Sequence, residues 1–175
     1  MIRNAGPLHY RKRRAGGYET TAEWWFISPV RGGAFVLRDA DGFALGRMAV
    51  NGCATVSAFF SWGGASGPVI DRRANMAASC AHDWLYLAHR QGLLTDEERD
   101  ESDVVYRELY IERASWVPEA EIGAPWYRRA LRSVGKTLSR ISAVAIGHID
   151  YAGLRLFGRW SADRQAEVEQ RRLVS

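Results

Sequence analysis

Near Pro68 the spacing of the apolar residues changes, and that change limits the fold more than any other feature of this 175-residue chain. Before Pro68 the apolar runs are short and broken by Asp41-Gly42 and Asn51-Gly52. Asp-Gly between β-prone runs is a strong hairpin signal. The pattern therefore predicts strands over Ala34–Arg38 and Phe43–Val50, and a third extended piece over Cys53–Phe60. The stretch EWWFISP, Glu23 to Pro29, suits a short strand or an anchor docked on another surface. Ser61 to Pro68 holds three glycines and a proline and reads as loop.

After Pro68 apolar residues recur every three or four positions, as on a helix with one covered face. Asp71 can cap a first helix running to about Arg90 and ended by Gln91-Gly92. Thr95 and Glu98 have capping-box spacing and open a second helix through about Arg113. A third helix is expected from Pro125 or Trp126 to about Phe157. Its apolar positions, Leu131, Val134, Leu138, Ile141, Ala145, Ile149, Ala152 and Leu156, form one stripe that the pattern predicts to be buried. Gly135, Gly147 and Gly153 interrupt it and allow a bend.

Strands followed by helices give an α+β fold. We expect a small antiparallel β-meander packed on a three-helix C-terminal half, in one domain over residues 24–160. Residues 1–23 read as an extended basic arm and 161–175 as a polar tail. The length is enough for a core without staples, and seven Trp, seven Tyr and six Phe supply it. Cys53 and Cys80 show no framework or metal spacing and read as reduced. No apolar run approaches the ~20 residues of a membrane span, and the charged N-terminus lacks the apolar core of a secretory signal.

The net charge of +4 is unevenly spread. Arg3, Arg11, Lys12, Arg13 and Arg14 lie in a stretch without acids, as do Arg128, Arg129, Arg132, Lys136 and Arg140. Acids concentrate between Thr95 and Glu121. Such asymmetry suits nucleic acid or a charged partner, and equally a solvated arm and helix face.

The stretch CAHDWLY, Cys80 to Tyr86, places His82 beside Asp83 in an apolar run. On a helix, Met76, Cys80, Asp83 and Leu87 share one stripe, and Asn75, Ser79, His82, Tyr86 and His89 share the next. Asp83 thus falls on the core-type stripe and His82 on a polar ridge, about 100° apart. A buried carboxylate needs a partner. Candidates are Arg107, His148 or N–H groups of the Gly-rich loop. If the first two helices pack antiparallel, Asp103 can approach His82. His82, Asp83 and Asp103 then form the one cluster with acid–base potential, and His82, Asp103 and His148 the metal alternative. The spacing is no ligand signature. A polar tie of His82, Asp83 and Asp103 accounts for the same residues without a reaction. No Walker, dinucleotide or nucleophile-elbow pattern is present, and nothing calls for a cofactor.

CAHDWLY resembles the "LHDWLY" core of a small family of tailed-phage and prophage proteins, domain of unknown function 1353. Further similarities follow in order. Asn51 to Phe60 sits where the family has a glycine and a "TD-x-x-S-x-P"-like strand. Glu101 to Tyr106 (ESDVVY) resembles its "EADRIF", and Tyr151 to Gly158 (YAGLRLFG) its "YWAVRLFG". The resemblance spans roughly residues 34–158. It departs at the "TD" aspartate, where this chain has Ala54-Thr55-Val56, and at the usual proline, here Phe59 or Phe60. The resemblance implies phage or prophage origin, no established activity, and a late gene for a virion component. The expected function is therefore a minor structural protein of the particle, located in the virion and in the host cytoplasm during assembly. It would bind other virion proteins in a symmetric multi-copy assembly through Arg11, Lys12, Arg13, Arg14, Trp24, Trp25 and Phe26. The rivals are a metal-dependent hydrolase centred on His82, Asp83 and Asp103, and an arm that contacts DNA.

Overall fold

A computed structural model describes residues 5–30, 33–64, 75–115, 137–138, 140–153 and 155. The fold is α+β, with seven strands in two antiparallel sheets ahead of the helices. One sheet has three strands, β1 (Tyr10–Lys12), β2 (Tyr18–Thr20) and β7 (Ser61–Trp62), in the order β1-β2-β7. The other has four, β3 (Trp24–Ile27), β4 (Phe35–Arg38), β5 (Ala44–Met48) and β6 (Cys53–Val56), in the order β3-β6-β5-β4. Helices α1 (Met76–Arg90) and α2 (Asp96–Ser115) follow. A third, α3, covers residues 140–153, with 137, 138 and 155 also helical.

Local chemistry builds the expected meander. In the β4–β5 turn the Asp39 carboxylate accepts the N–H groups of Asp41 and Phe43, at 3.0 and 2.8 Å. This is the reason an aspartate opens such turns. Gly52 closes the β5–β6 turn at φ +80°, where a Cβ would lie 2.3 Å from the Ser28 carbonyl oxygen, so only glycine fits. The Thr95–Glu98 capping box is complete. Thr95 N–H donates to Glu98 Oε2 at 2.8 Å, and Glu98 N–H to Thr95 Oγ1 at 3.3 Å. Asn75 occupies the N-cap of α1. Asp71, expected in that role, lies outside the described residues, as do Leu131, Val134, Leu156, most of the second basic run and the tail 161–175.

Two expectations change. Of the expected basic arm, the described residues 5–23 carry two strands and pack on the rest of the chain. Tyr10–Lys12 and Tyr18–Thr20 pair with each other, and Tyr18 and Glu19 pair with Trp62 and Ser61, which had read as loop. The rings of Tyr10, Tyr18 and Trp62 contact one another at 5.7 to 6.0 Å, so the hairpin has an aromatic face to bury. Farther in, the Gly6 carbonyl accepts the Trp24 indole N–H at 2.8 Å and the Arg113 guanidinium at 2.6 Å. The hairpin signal is weak in sequence because two three-residue strands carry too few positions to show a period.

The second change concerns α3. It runs antiparallel to α2: Gly147 lies against Tyr110 and Ile111, the Tyr151 ring under the Arg107 guanidinium at 5.0 Å, and Arg155 pairs with Asp100 at 2.8 Å. This buries Ala143, Gly147 and Asp150. The apolar stripe faces the other way. Leu138 and Ile141 are each 62% exposed and Ile149 69%. Small residues let α3 approach α2 closely, and the polar contacts at Arg155 and Tyr151 fix the rotation, leaving the bulky stripe outside.

Candidate functional site

Helix α1 is covered nearly all round, by both sheets on one side and α2 on the other. Alanines 77, 78, 81 and 88 allow this close approach. The residues of HDWLY dock this helix on several neighbours. Trp84 stacks on Phe35 and meets Phe26 edge-on, and its indole N–H donates to the Leu45 carbonyl at 3.2 Å. Its ring passes over Gly46, where a Cβ would come within 2.8 Å of the indole nitrogen. Leu85 is wholly buried.

His82, Asp83 and Asp103 do come together. The antiparallel packing of α1 on α2 sets His82 Nε2 2.9 Å from Asp103 Oδ1. His82 Nδ1 lies 3.4 Å from Asp83 Oδ1. The burial expected for the pair is inverted. His82 is 3% and Asp103 2% exposed, whereas Asp83 is half-buried and accepts the Gly63 N–H at 3.3 Å. The expected ridge of His82 faces α2, because α2 covers that side, and Asp83 turns to the loop after β7. Adjacent on the helix, the two side chains nevertheless bend toward each other.

Tyr86 completes the cluster. Its hydroxyl donates to Asp103 Oδ1 at 2.8 Å, and its ring lies 4.1 Å from the His82 imidazole. The i, i+4 spacing to His82 is the sequence signal for this role. A second inner group lies among the three helices: the buried Tyr106 hydroxyl is near Asn75 at the start of α1 and Asp150 on α3, without a well-formed hydrogen bond of its own among the described residues. No periodicity marks it.

Burial drives the His82 imidazolium toward neutrality. Hydrogen bonds to Asp103 and Asp83, with their charges, outweigh that and hold its pKa above the ordinary histidine value. Burial, then the Asp103 charge, pushes the Tyr86 hydroxyl up, so it stays a donor. Burial, then the Asp83 charge, likewise raises the Cys80 thiol, which stays protonated.

This arrangement limits the chemistry. A general base needs a lone pair facing its substrate, and a metal ligand needs one facing the ion. Both ring nitrogens of His82 are already held by carboxylates. His148 is exposed on α3. Among the described residues no group of three or more His, Cys, Asp and Glu is disposed to hold a metal ion. Arg107, once a possible partner of Asp83, pairs with Glu108 and Tyr151 instead.

The expected contact residues divide. Trp24 and Phe26 are core, at 1% and 0% exposure, because alternate residues of β3 point inward. They cannot meet a partner. Trp25, between them, is exposed. Arg11 pairs with Glu19, while Lys12, Arg13 and Arg14 are exposed at the hairpin tip. Among the described residues no helix is long and apolar enough to cross a membrane. Comparison with known proteins finds no match: not to a family model, nor to a curated protein, nor to a solved structure.

Proposed function

We propose that this chain is a minor structural protein of a tailed-phage particle that works through contacts with other virion proteins. The observation that carries the reading is a division of labour. The polar cluster that could have been a catalytic centre is closed on itself, with both nitrogens of His82 engaged inside the helical half. Large apolar side chains face outward instead: Trp25 on β3, Phe43 in the β4–β5 turn, and Phe59 after β6. Phe59 holds a positive φ of 68°, unusual for a bulky residue. Its N–H is fixed by the Thr20 carbonyl at 2.8 Å. Strain retained to display an aromatic ring suits a contact surface. The ordered resemblance of CAHDWLY, ESDVVY and YAGLRLFG to the phage family supplies the setting.

Deleting residues 1–23 would remove β1 and β2 and the acceptor of the Trp24 indole, so the test uses point replacements. A Trp25→Ala, Phe59→Ala variant should keep its circular dichroism spectrum and thermal midpoint. It should be lost from purified particles that contain the wild-type chain. Normal incorporation of the variant, or absence of the wild-type chain from particles, refutes the proposal.

A second reading draws on the hairpin tip, where Lys12, Arg13 and Arg14 project without a carboxylate partner among the described contacts. Such a tip can meet nucleic-acid phosphates. Duplex DNA binding that falls steeply with salt and vanishes in the triple alanine variant supports it. No binding at low salt removes it.

A further inference from the structure

His82 sits between two carboxylates, and a neutral imidazole cannot serve both. Nε2 lies 2.9 Å from Asp103 Oδ1, and Nδ1 lies 3.4 Å from Asp83 Oδ1. An ionised carboxylate only accepts, so each contact needs a proton on the ring, and only the imidazolium carries two. When one proton leaves, one nitrogen turns a lone pair on a negative oxygen, and that contact becomes repulsive. The surroundings decide which contact gives way. Asp103 faces His82 from α2 and is buried, with the Tyr86 hydroxyl as its other donor among the described residues. Losing the Nε2 proton would leave that buried charge on one hydroxyl, which is costly. The Asp83 side chain is 24% exposed and can reach water by turning about its own bonds. The other titratable groups around the ring do not compete. The Tyr86 and Tyr106 rings lie 4.1 and 5.9 Å away, and burial keeps both hydroxyls protonated, as it does the Cys80 thiol, on which the Asp83 charge acts. Arg99 and Asp150 act one side chain farther out, on Tyr86 and Tyr106. The loss therefore falls on Asp83, whose second oxygen accepts the Gly63 N–H at 3.3 Å. Gly63 directly follows β7, the edge strand of the three-stranded sheet, and the preceding Trp62 indole donates to Ser79 on α1 at 3.2 Å.

We propose that His82 works as a pH-operated clamp on the end of β7. The imidazolium holds Asp83 in place on Gly63. As pH rises, the Nδ1 proton leaves to solvent, Asp83 turns outward, and Gly63 loses its acceptor, while Nε2–H stays on Asp103. Burial opposes the imidazolium, but the two carboxylates outweigh it, so release falls above the ordinary histidine range. The clamp shares no residue with the Trp25 and Phe59 contacts or the basic hairpin tip, so its fate is separate from that of the particle proposal.

The test is an NMR titration of the full chain, labelled with nitrogen-15 and carbon-13, from pH 5 to 10. The His82 ring nitrogens give the midpoint and the neutral tautomer, which should be Nε2–H. Three-bond couplings to Asp83 Cγ should change at that midpoint as χ1 leaves its low-pH rotamer. The Gly63 amide proton should move upfield at the same midpoint. Asp83→Asn keeps an acceptor for Gly63 but no charge for His82 to hold. In this variant His82 should titrate at lower pH and the Gly63 step should vanish. His82→Gln should leave Gly63 and the Asp83 rotamer unchanged across the range. The proposal is overturned if His82 does not titrate, if its neutral ring keeps the proton on Nδ1, or if Asp83 and Gly63 stay fixed while it titrates. A Gly63 step without a change at Asp83 reports only the field of the lost charge and overturns it too. So does a Gly63 step that persists in Asp83→Asn, or one that coincides with loss of the near-ultraviolet circular dichroism.

Discussion

Replacing Asp103 with alanine tests the reading of the polar cluster as a tie between helices. Asp103 Oδ1 accepts both from His82 Nε2 at 2.9 Å and from the Tyr86 hydroxyl at 2.8 Å. Its removal orphans a ring N–H and a hydroxyl, each worth about 1–3 kcal/mol when buried without a partner. It also takes away the nearer of two counter-charges from a buried imidazolium, and breaking one side of a buried pair costs about 3–5 kcal/mol. These overlap, so we expect a loss of about 4 kcal/mol, a large share of the ~5–15 kcal/mol of a typical domain. With a urea slope of about 2 kcal/mol per molar, the unfolding midpoint should fall by about 2 M. The same helix pair provides the control. His89 and Asp96 form a histidine–aspartate contact of the same 2.9 Å length, but Asp96 is 86% exposed. Exposed pairs contribute little, so Asp96→Ala should leave the midpoint nearly in place. Asp103→Asn, which keeps one acceptor, should fall between. If Asp103→Ala lowers the midpoint no more than Asp96→Ala does, burial is not what gives the tie its strength, and the reasoning fails.

Two further expectations follow from the same geometry. His82 has a raised pKa in the folded chain, so its contribution is complete below the unfolded value of about 6.5 and is lost as pH rises through the folded value. Urea midpoints measured from pH 6 to 9 should therefore decline more steeply for the wild type than for His82→Gln, and parallel slopes would contradict this. Gly46→Ala would drive a Cβ to 2.2 Å from the Thr55 carbonyl and 2.8 Å from the Trp84 indole, at a φ of 148°. Overpacking and backbone strain together should cost roughly 3 kcal/mol, seen as a lower thermal midpoint and blue-shifted or quenched Trp84 fluorescence lost on unfolding at lower temperature.

Much of the fold was legible because its signals are local. Asp39 satisfies N–H groups two and four residues away, the Gly52 N–H donates to the Ala49 carbonyl of its own turn, and Thr95 and Glu98 cap each other across three residues. The β1–β2 hairpin was missed because its partner, Trp62, is about forty residues distant and its strands have three residues each. At the site, the residue types and the approach of His82 to Asp103 could be read from antiparallel helix packing. Which of His82 and Asp83 would be buried could not.

The amino-acid sequence by itself determined the meander strands around Asp41-Gly42 and Asn51-Gly52, the helices that follow, and that α3 carries an apolar stripe. Those properties reside in backbone preferences and hydrogen bonds spanning a few residues. Only the tertiary structure decided which sides of the helices face inward. Adjacent residues on a helix point about 100° apart, so the position of α2 alone made His82 the buried member of its pair. An apolar stripe lowers the free energy by leaving water, whoever covers it. Periodicity therefore marks the face, but the small residues and polar anchors of α3 turned that face away from its own core.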